Sequence, residues 1–163
     1  LSLLIGCGSF FGLRISDILA LTWSMLLDDE KFVIIEKKTG KRREIKVNSN
    51  FQKHIADCYK SLGVVDKNEK CFLSRKRTVY STQRINVLFK SMKSKYNLKI
   101  EHFSTHSMRK TFGRQVVEAA GENSEFALIK LSELFNHADI QTTRRYLGLR
   151  SQELLETYDM LNF

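Results

Sequence analysis

The sequence predicts an α+β domain that is mainly α-helical, with one small antiparallel β-hairpin near residues 31–48. Three observations predict it. The stretch KFVIIEKKTGKRREIKV alternates in polarity and places β-branched residues on both sides of Thr39 and Gly40, which is the pattern of two strands joined at a KTGK tip. Most other segments repeat apolar residues at three- and four-residue intervals, the period of amphipathic helices. Pro is absent and no Gly/Ser-rich or low-complexity stretch interrupts the chain, so residues 1–163 are expected to form one domain without an internal boundary.

In order along the chain, Leu1 to Phe11 reads as the tail of a buried helix ending at Gly12. ISDILALTWSML then restarts helical spacing, with Ser16 expected as its N-cap. After the hairpin, residues 48–62 return to helical spacing, CFLS at 71–74 reads as a short buried segment, and residues 81–97 as a basic amphipathic helix. Thr105 is expected to cap HSMRKTFGRQVVEAA, Gly121 to end it, and Ser124 to cap SEFALIKLSELF. Shorter helices follow at DIQTTRRYL and SQELLETYDML.

With 42% hydrophobic and 28% charged residues, the chain has enough apolar surface to fold, which argues against intrinsic disorder. Lys and Arg number 27 against 18 Asp and Glu, a net charge of +9 that favours a polyanionic partner. Cys7, Cys58 and Cys71 are odd in number and form no CxxC pair, so neither a zinc site nor a disulfide framework is expected, and a reducing cytosol suits them. The apolar opening LSLLIGCGSFFG is too short for the roughly twenty residues of a membrane crossing. LIGC has the look of a lipoprotein cleavage box, but no basic segment precedes it. The chain starts without Met, inside what reads as a helix, so a piece of a longer protein is expected.

Four clusters concentrate ionisable residues at helix starts or turns: Arg14 in GLRISDILAL, Lys38 in KKTGK, His106 with Arg109 in THSMRKT, and His137 with Tyr146 in NHADIQTTRRY. Each alone has an ordinary explanation. Arg14 could be a solvated charge paired with Asp17, Lys38 a solubility device, and Tyr146 a half-buried core residue. His106 and Arg109 fall one turn apart at a helix N-terminus, where backbone N–H groups favour an anion.

Taken in order, these motifs resemble the catalytic domain of the tyrosine recombinases, the phage-integrase family, over nearly the whole chain. GLRISDILAL resembles the box carrying the first catalytic arginine, Arg14; the hairpin lysine corresponds to Lys38; HSMR resembles the H-x-x-R box, giving His106 and Arg109. His137 and Tyr146 stand nine positions apart, like the final His and tyrosine of the family. The departures are Met108 where Leu is usual, Lys110 where a second His is common, and Asn136 where Gly is common. None removes a catalytic group, and Asn tolerates positive φ better than most residues.

The resemblance implies a site-specific recombinase or integrase of a mobile element, DNA strand breakage through a 3′-phosphotyrosyl intermediate, and no cofactor, metal or ATP. The chemistry asks for these residue types. Tyr146 supplies the attacking oxygen; Arg14 and Arg109 offer forked, permanently charged donors to phosphate oxygens; His106 and His137 can bond the phosphate or handle the tyrosine proton. The resemblance assigns Lys38, on what reads as a mobile tip, the role of acid for the leaving 5′ oxygen. No GxxxxGK[ST] loop and no carboxylate cluster for Mg²⁺ is visible.

Around that site, Lys41, Arg42 and Arg43 on the hairpin, Arg75, Lys76 and Arg77, and Arg84, Lys90 and Lys93 on the 81–97 helix are candidate contacts to double-stranded DNA. In this family the C-terminal tail is exchanged between protomers of a homotetramer assembled on DNA; here SQELLETYDMLNF carries Leu154, Leu155 and Leu161, and docking on its own domain or on a neighbour's remain open alternatives. The resemblance also implies that the family's N-terminal core-binding domain is absent from residues 1–163, and that the protein works in the bacterial cytosol at the nucleoid, away from membranes. A type IB topoisomerase-like enzyme and a non-catalytic DNA-binding regulator are the alternatives.

Overall fold

The computed structural model describes residues 1–159. It is helical apart from one hairpin: α1 (Ser2–Phe11), α2 (Ile15–Ile18), α3 (Trp23–Leu27), β1 (Lys31–Ile35), β2 (Arg42–Lys46), α4 (Ser49–Leu62), α5 (Thr82–Lys95), α6 (Thr105–Ala120), α7 (Ser124–Phe135), α8 (Ile140–Leu147) and α9 (Leu149–Asp159). The chain falls into two compact units, Leu1–Arg109 and the residues from Lys110 on. The expected fold class is the one observed.

In the first unit, α1 supplies the centre of the core. It is apolar nearly all round and buries Leu3, Leu4, Cys7 and Phe11. Phe11 meets Phe32 of β1 and Phe51 of α4 edge-on, each at 5.4 Å between ring centroids, so one aromatic joins three elements. At Gly12 the backbone turns left-handed, with φ 58°, and ends α1. β1 and β2 pair antiparallel, Lys31 opposite Lys46 and Ile34 opposite Arg43. Their inward face, Phe32, Ile34, Ile45 and Val47, packs on the same core.

The helix expected from Ile15 to Leu26 is broken. Arg14, in extended conformation, occupies the N-cap position of α2, and Ser16 does not cap it. The segment 19–22 then leaves helical geometry because distant groups take its carbonyls. Lys70 Nζ donates to Ala20 O, the Cys71 N–H donates to Leu21 O, and Thr22 forms a β-bridge with Lys70. α3 restarts with the Thr22 hydroxyl accepting from the Met25 N–H. The helix at 81–97 forms as Thr82–Lys95 with Ser81 as its cap. Ser104, rather than Thr105, caps α6: its hydroxyl accepts from the His106 N–H while Ser107 Oγ accepts from the Ser104 N–H. Ser124 is likewise the first residue of α7 rather than its cap, because a 3-10 turn at Gly121–Asn123 runs directly into that helix.

The second unit has its own core of Leu128, Leu131, Phe135 and Leu147, with Phe112 and Val116 of α6 packed against it. Asp139 caps α8 by accepting the Thr142 N–H at 2.6 Å, and that bond holds its carboxyl below the usual range. On α9, Leu154, Leu155 and Tyr158 are exposed; Leu161, expected to share their face, lies outside the described residues. No helix among the described residues is long and apolar enough to cross a membrane.

Cys7, Cys58 and Cys71 are free thiols. Burial pushes all three up, Cys71 to about 12, so they stay protonated and unreactive at neutral pH.

α1 fits tightly against the first turn of α6. A Cβ built on Gly8 would lie 2.6 Å from both Cβ and Sδ of Met108, and the Cβ cannot swing away as a side-chain tip can. Gly8→Ala is therefore expected to destabilise the protein by about 1–3 kcal/mol, read as a lower urea midpoint with an unchanged slope. Wild-type stability in that variant would show that the contact has room to relax.

Candidate functional site

The six residues singled out by the sequence divide between the units. Arg14, Lys38, His106 and Arg109 lie in the first, His137 and Tyr146 in the second.

In the first unit the two arginines are brought to one stretch of backbone. Arg109 is buried and its Nη1 donates to Gly12 O at 2.6 Å, two residues before Arg14. The left-handed turn at Gly12 directs that carbonyl to the first turns of α6 and sets Arg14 at the start of α2. His106 is exposed one turn before Arg109. Arg14 Nη1 donates to Glu36 Oε2 at 2.7 Å. Glu36 follows β1 and is only 4% exposed, and it also receives the Thr39 hydroxyl at 2.8 Å and faces Arg43 at 3.6 Å. Burial works to raise the Glu36 carboxyl. The hydrogen bonds from Thr39 and Arg14, with the charges of Arg14 and Arg43, outweigh it and hold the group below the usual carboxylate range.

Lys38 is exposed in the six-residue loop Glu36–Lys41, flanked by anchored neighbours. The Lys37 N–H donates to Asp17 Oδ1 at 2.9 Å, and Thr39 bonds Glu36. The loop is closed by Glu36 N–H to Lys41 O and Gly40 N–H to Glu36 O. The tip read as mobile is thus tied to α2 on one side of Lys38 and to Glu36 on the other.

In the second unit, α7 ends at Asn136 in left-handed conformation, φ 54° and ψ 50°. The Asn136 and His137 N–H groups close on Glu133 O and Ser132 O, so Asn does here what Gly does more often. His137 follows at once, its Nδ1 bonded to the hydroxyl of fully buried Thr143 at 2.9 Å. The His137 and Tyr146 rings meet edge to face at 5.3 Å, Phe135 flanks both, and Lys110 Nζ lies 5.5 Å from the Tyr146 ring centroid. The phenol oxygen is out of solvent.

The candidate DNA contacts are not equivalent. Arg75, Lys76 and Arg84 line one open recess of about 550 Å³ with Ser74 and Tyr80. Lys41, Arg42 and Lys90 are exposed. Arg77 stands at positive φ in an ion pair with Glu69, and Lys93 Nζ donates to Glu101 O. Arg43 departs from the expectation: it points inward, donating to Phe11 O at 2.6 Å and facing Glu36. Strand alternation puts it on the face of Ile45, so it holds the hairpin to α1 rather than presenting charge outward.

A family model described as "Phage integrase family" matches residues 7–153. The chain belongs to the phage integrase family. Among curated relatives, the tyrosine recombinase XerC of Xanthomonas campestris pv. campestris is 28% identical over 148 residues, covering 91% of this chain and 44% of XerC. The chain thus spans less than half of that relative. Among solved structures, XerA recombinase superposes with a TM-score of 0.69 at 18% identity, covering 99% of this chain and 63% of XerA. The Tn1549 transposon integrase, in complex with a circular intermediate DNA, gives 0.64 at 20% identity, covering 88% and 52%. At these identities the solved structures establish the shared fold.

Glu36 and Thr143 are the residues of this phage-integrase domain that sequence reasoning missed. Continuing the alternation of β1, in which Phe32 and Ile34 point inward, puts residue 36 on the buried face, and a buried acid requires a cationic partner. Thr143 gave no comparable signal. Among the described residues no group of three or more His, Cys, Asp or Glu is placed to hold a metal ion.

Because the Glu36 carboxyl is held low, its stabilisation is present above the unfolded-state pKa, near the ordinary value of 4.5, and is lost as the pH falls through the folded value. The stability gap between wild type and Glu36→Gln is expected to be full at about pH 6 and to shrink progressively below about pH 4, in urea unfolding at each pH. A gap independent of pH would show that the ionised form is not what stabilises the hairpin.

Proposed function

We propose that residues 1–163 form the catalytic domain of a site-specific recombinase of a mobile element, which cuts and rejoins double-stranded DNA through a 3′-phosphotyrosyl intermediate. The observation that carries the reading is Arg109 anchored on Gly12 O, beside Arg14, in a chain of the phage integrase family. That arrangement ties the Arg109 guanidinium to the backbone two residues before Arg14, which suits a pair of arginines serving one phosphate. Likeness to a transposon integrase supports the mobile-element setting, and likeness to XerC the coarser recombinase reading.

In this mechanism the Tyr146 oxygen attacks the scissile phosphorus as the bond to the 5′ oxygen breaks. Arg14 and Arg109 stabilise the charge growing on the non-bridging oxygens. His106 and His137 bond the phosphate or take the tyrosine proton, and Lys38 gives a proton to the departing 5′ oxygen. A 5′ hydroxyl then attacks the phosphotyrosyl link and releases Tyr146. The link conserves the energy of the phosphodiester, so rejoining requires neither ATP nor a metal ion. Lys41, Arg42, Lys90 and the recess of Arg75, Lys76 and Arg84 supply backbone contacts. The protein acts on DNA in the bacterial cytoplasm as a homotetramer whose tails cross between protomers; the exposure of Leu154 and Leu155 supports docking on a neighbour.

The test is covalent capture of nicked suicide duplexes, drawn from a randomised pool, on the wild-type chain. An adduct is expected in EDTA with wild type and not with Tyr146→Phe, which keeps the ring contacts to Phe135 and His137 and should melt like wild type. An adduct surviving in Tyr146→Phe would move the nucleophile elsewhere, and a strict Mg²⁺ requirement would sink the metal-free step.

Lys38→Ala is expected to slow capture of ordinary DNA by about 10²-fold or more and to recover on a duplex with a 5′-bridging sulfur, which leaves without an acid. Equal impairment on both substrates would remove the acid role. Leu154→Ala combined with Leu155→Ala should leave the melting temperature nearly unchanged, because both side chains are exposed. It should weaken synapsis by up to about 2–5 kcal/mol per leucine buried at the contact, seen in gel-shift titration. A collapse in melting temperature would place the tail on its own domain.

A further inference from the structure

We propose that Glu36 is a positioning residue that fixes the backbone of Lys38 relative to Arg14, acting through its bonds to Arg14 and Thr39. The inference rests on the roles given above to Arg14 and Lys38. Glu36 touches no reacting atom in that mechanism; it acts through its neighbours.

The path is short. Glu36 Oε2 accepts from Arg14 Nη1 at 2.7 Å and from Thr39 Oγ1 at 2.8 Å, and Thr39 is joined to Lys38 by a peptide bond. One carboxylate oxygen therefore ties the proposed phosphate clamp to the residue next to the proposed acid. On the other side of Lys38, the Lys37 N–H is held by Asp17 Oδ1, three residues beyond Arg14 on α2. Lys38 is thus bracketed by two attachments that lead back to the same helix start. A lysine stem has four flexible methylenes, so a proton delivered from Nζ depends on where the Cα is held, and misplacement by an ångström is costly to a positioned catalytic group. At 4% exposure, Glu36 is shielded from water that could substitute for either bond.

Thr39→Val separates this role from mere support. It keeps the side-chain volume, removes the hydroxyl from Glu36, and leaves the Glu36 bond to Arg14. Thr39→Ser keeps the hydroxyl and is the conservative control. Capture rates on ordinary and 5′-bridging-sulfur nicked duplexes should be measured for wild type, both Thr39 variants, Glu36→Ala and Lys38→Ala, with thermal melts for each.

Thr39→Val is expected to slow capture of ordinary DNA by about 10-fold or more and to fall within about 2-fold of wild type on the sulfur duplex, while Thr39→Ser behaves like wild type. Glu36→Ala should be slow on both substrates, and more so on ordinary DNA, because Arg14 also loses its partner. Should Glu36→Ala fail to fold, the Thr39 pair carries the test alone. Wild-type rates for Thr39→Val on ordinary DNA, or a loss that the sulfur leaves untouched, would overturn the proposal. If Lys38→Ala is not rescued by sulfur, the acid role itself fails and this inference falls with it; rescue of Lys38→Ala with a fast Thr39→Val overturns this inference alone. Absence of an adduct with wild type on every duplex overturns both readings.

Discussion

The first unit depends on how a strongly basic chain buries guanidinium groups. Each would be costly to remove from water without a partner, and Arg14, Arg43 and Arg109 are all at least partly enclosed. Glu36 offsets two of them, and the backbone carbonyls of Phe11 and Gly12 receive Arg43 and Arg109. Those carbonyls belong to the end of α1, where the left-handed turn at Gly12 leaves helical hydrogen bonding unfinished. The end of one buried helix thereby fixes Arg43 and Arg109 directly and, through the Glu36 that Arg43 shares with Arg14, holds the hairpin and the start of α2 in a common frame.

The second unit solves a different problem with local means. His137 and Tyr146 are separated by a helix end, a short connection and most of a second helix. Three conformational devices hold them: Asn136 at positive φ closes α7, Asp139 opens α8, and Thr143 reaches back to the imidazole. Each works within a few residues of sequence. Packing of Leu147 against the small surface left by Gly113 then seats α8 on α6.

That contrast explains what could be read in advance. The hairpin, α5 and α8 announce themselves through alternation and helical period, both of which are local, whereas the caps expected at Ser16, Thr105 and Ser124 are displaced by their neighbours. The break between α2 and α3 does not announce itself, since Lys70 and Cys71 arrive from about fifty residues away to take the carbonyls of Ala20 and Leu21. The ordered motifs single out the six candidate residues, but they carry no sign of what surrounds each of them. Reading Arg43 as outward-facing followed its charge, whereas strand alternation places it inward with Ile45, opposite Ile34 in the register. Period outranks polarity once a partner of opposite charge, here Glu36, sits on the same face.

The connection between His137 and Tyr146 has a further consequence for which changes the domain can absorb. Tyr146 stands on a helix whose start is pinned by Asp139, and each residue added to or removed from α8 would rotate the ring by about 100° and shift it by about 1.5 Å. Side chains such as Gln141 and Arg145 can vary, because they face solvent. Length cannot vary in the same way. The nine-residue interval acts as a mechanical ruler, so within this segment the protein should tolerate many substitutions and hardly any insertion or deletion.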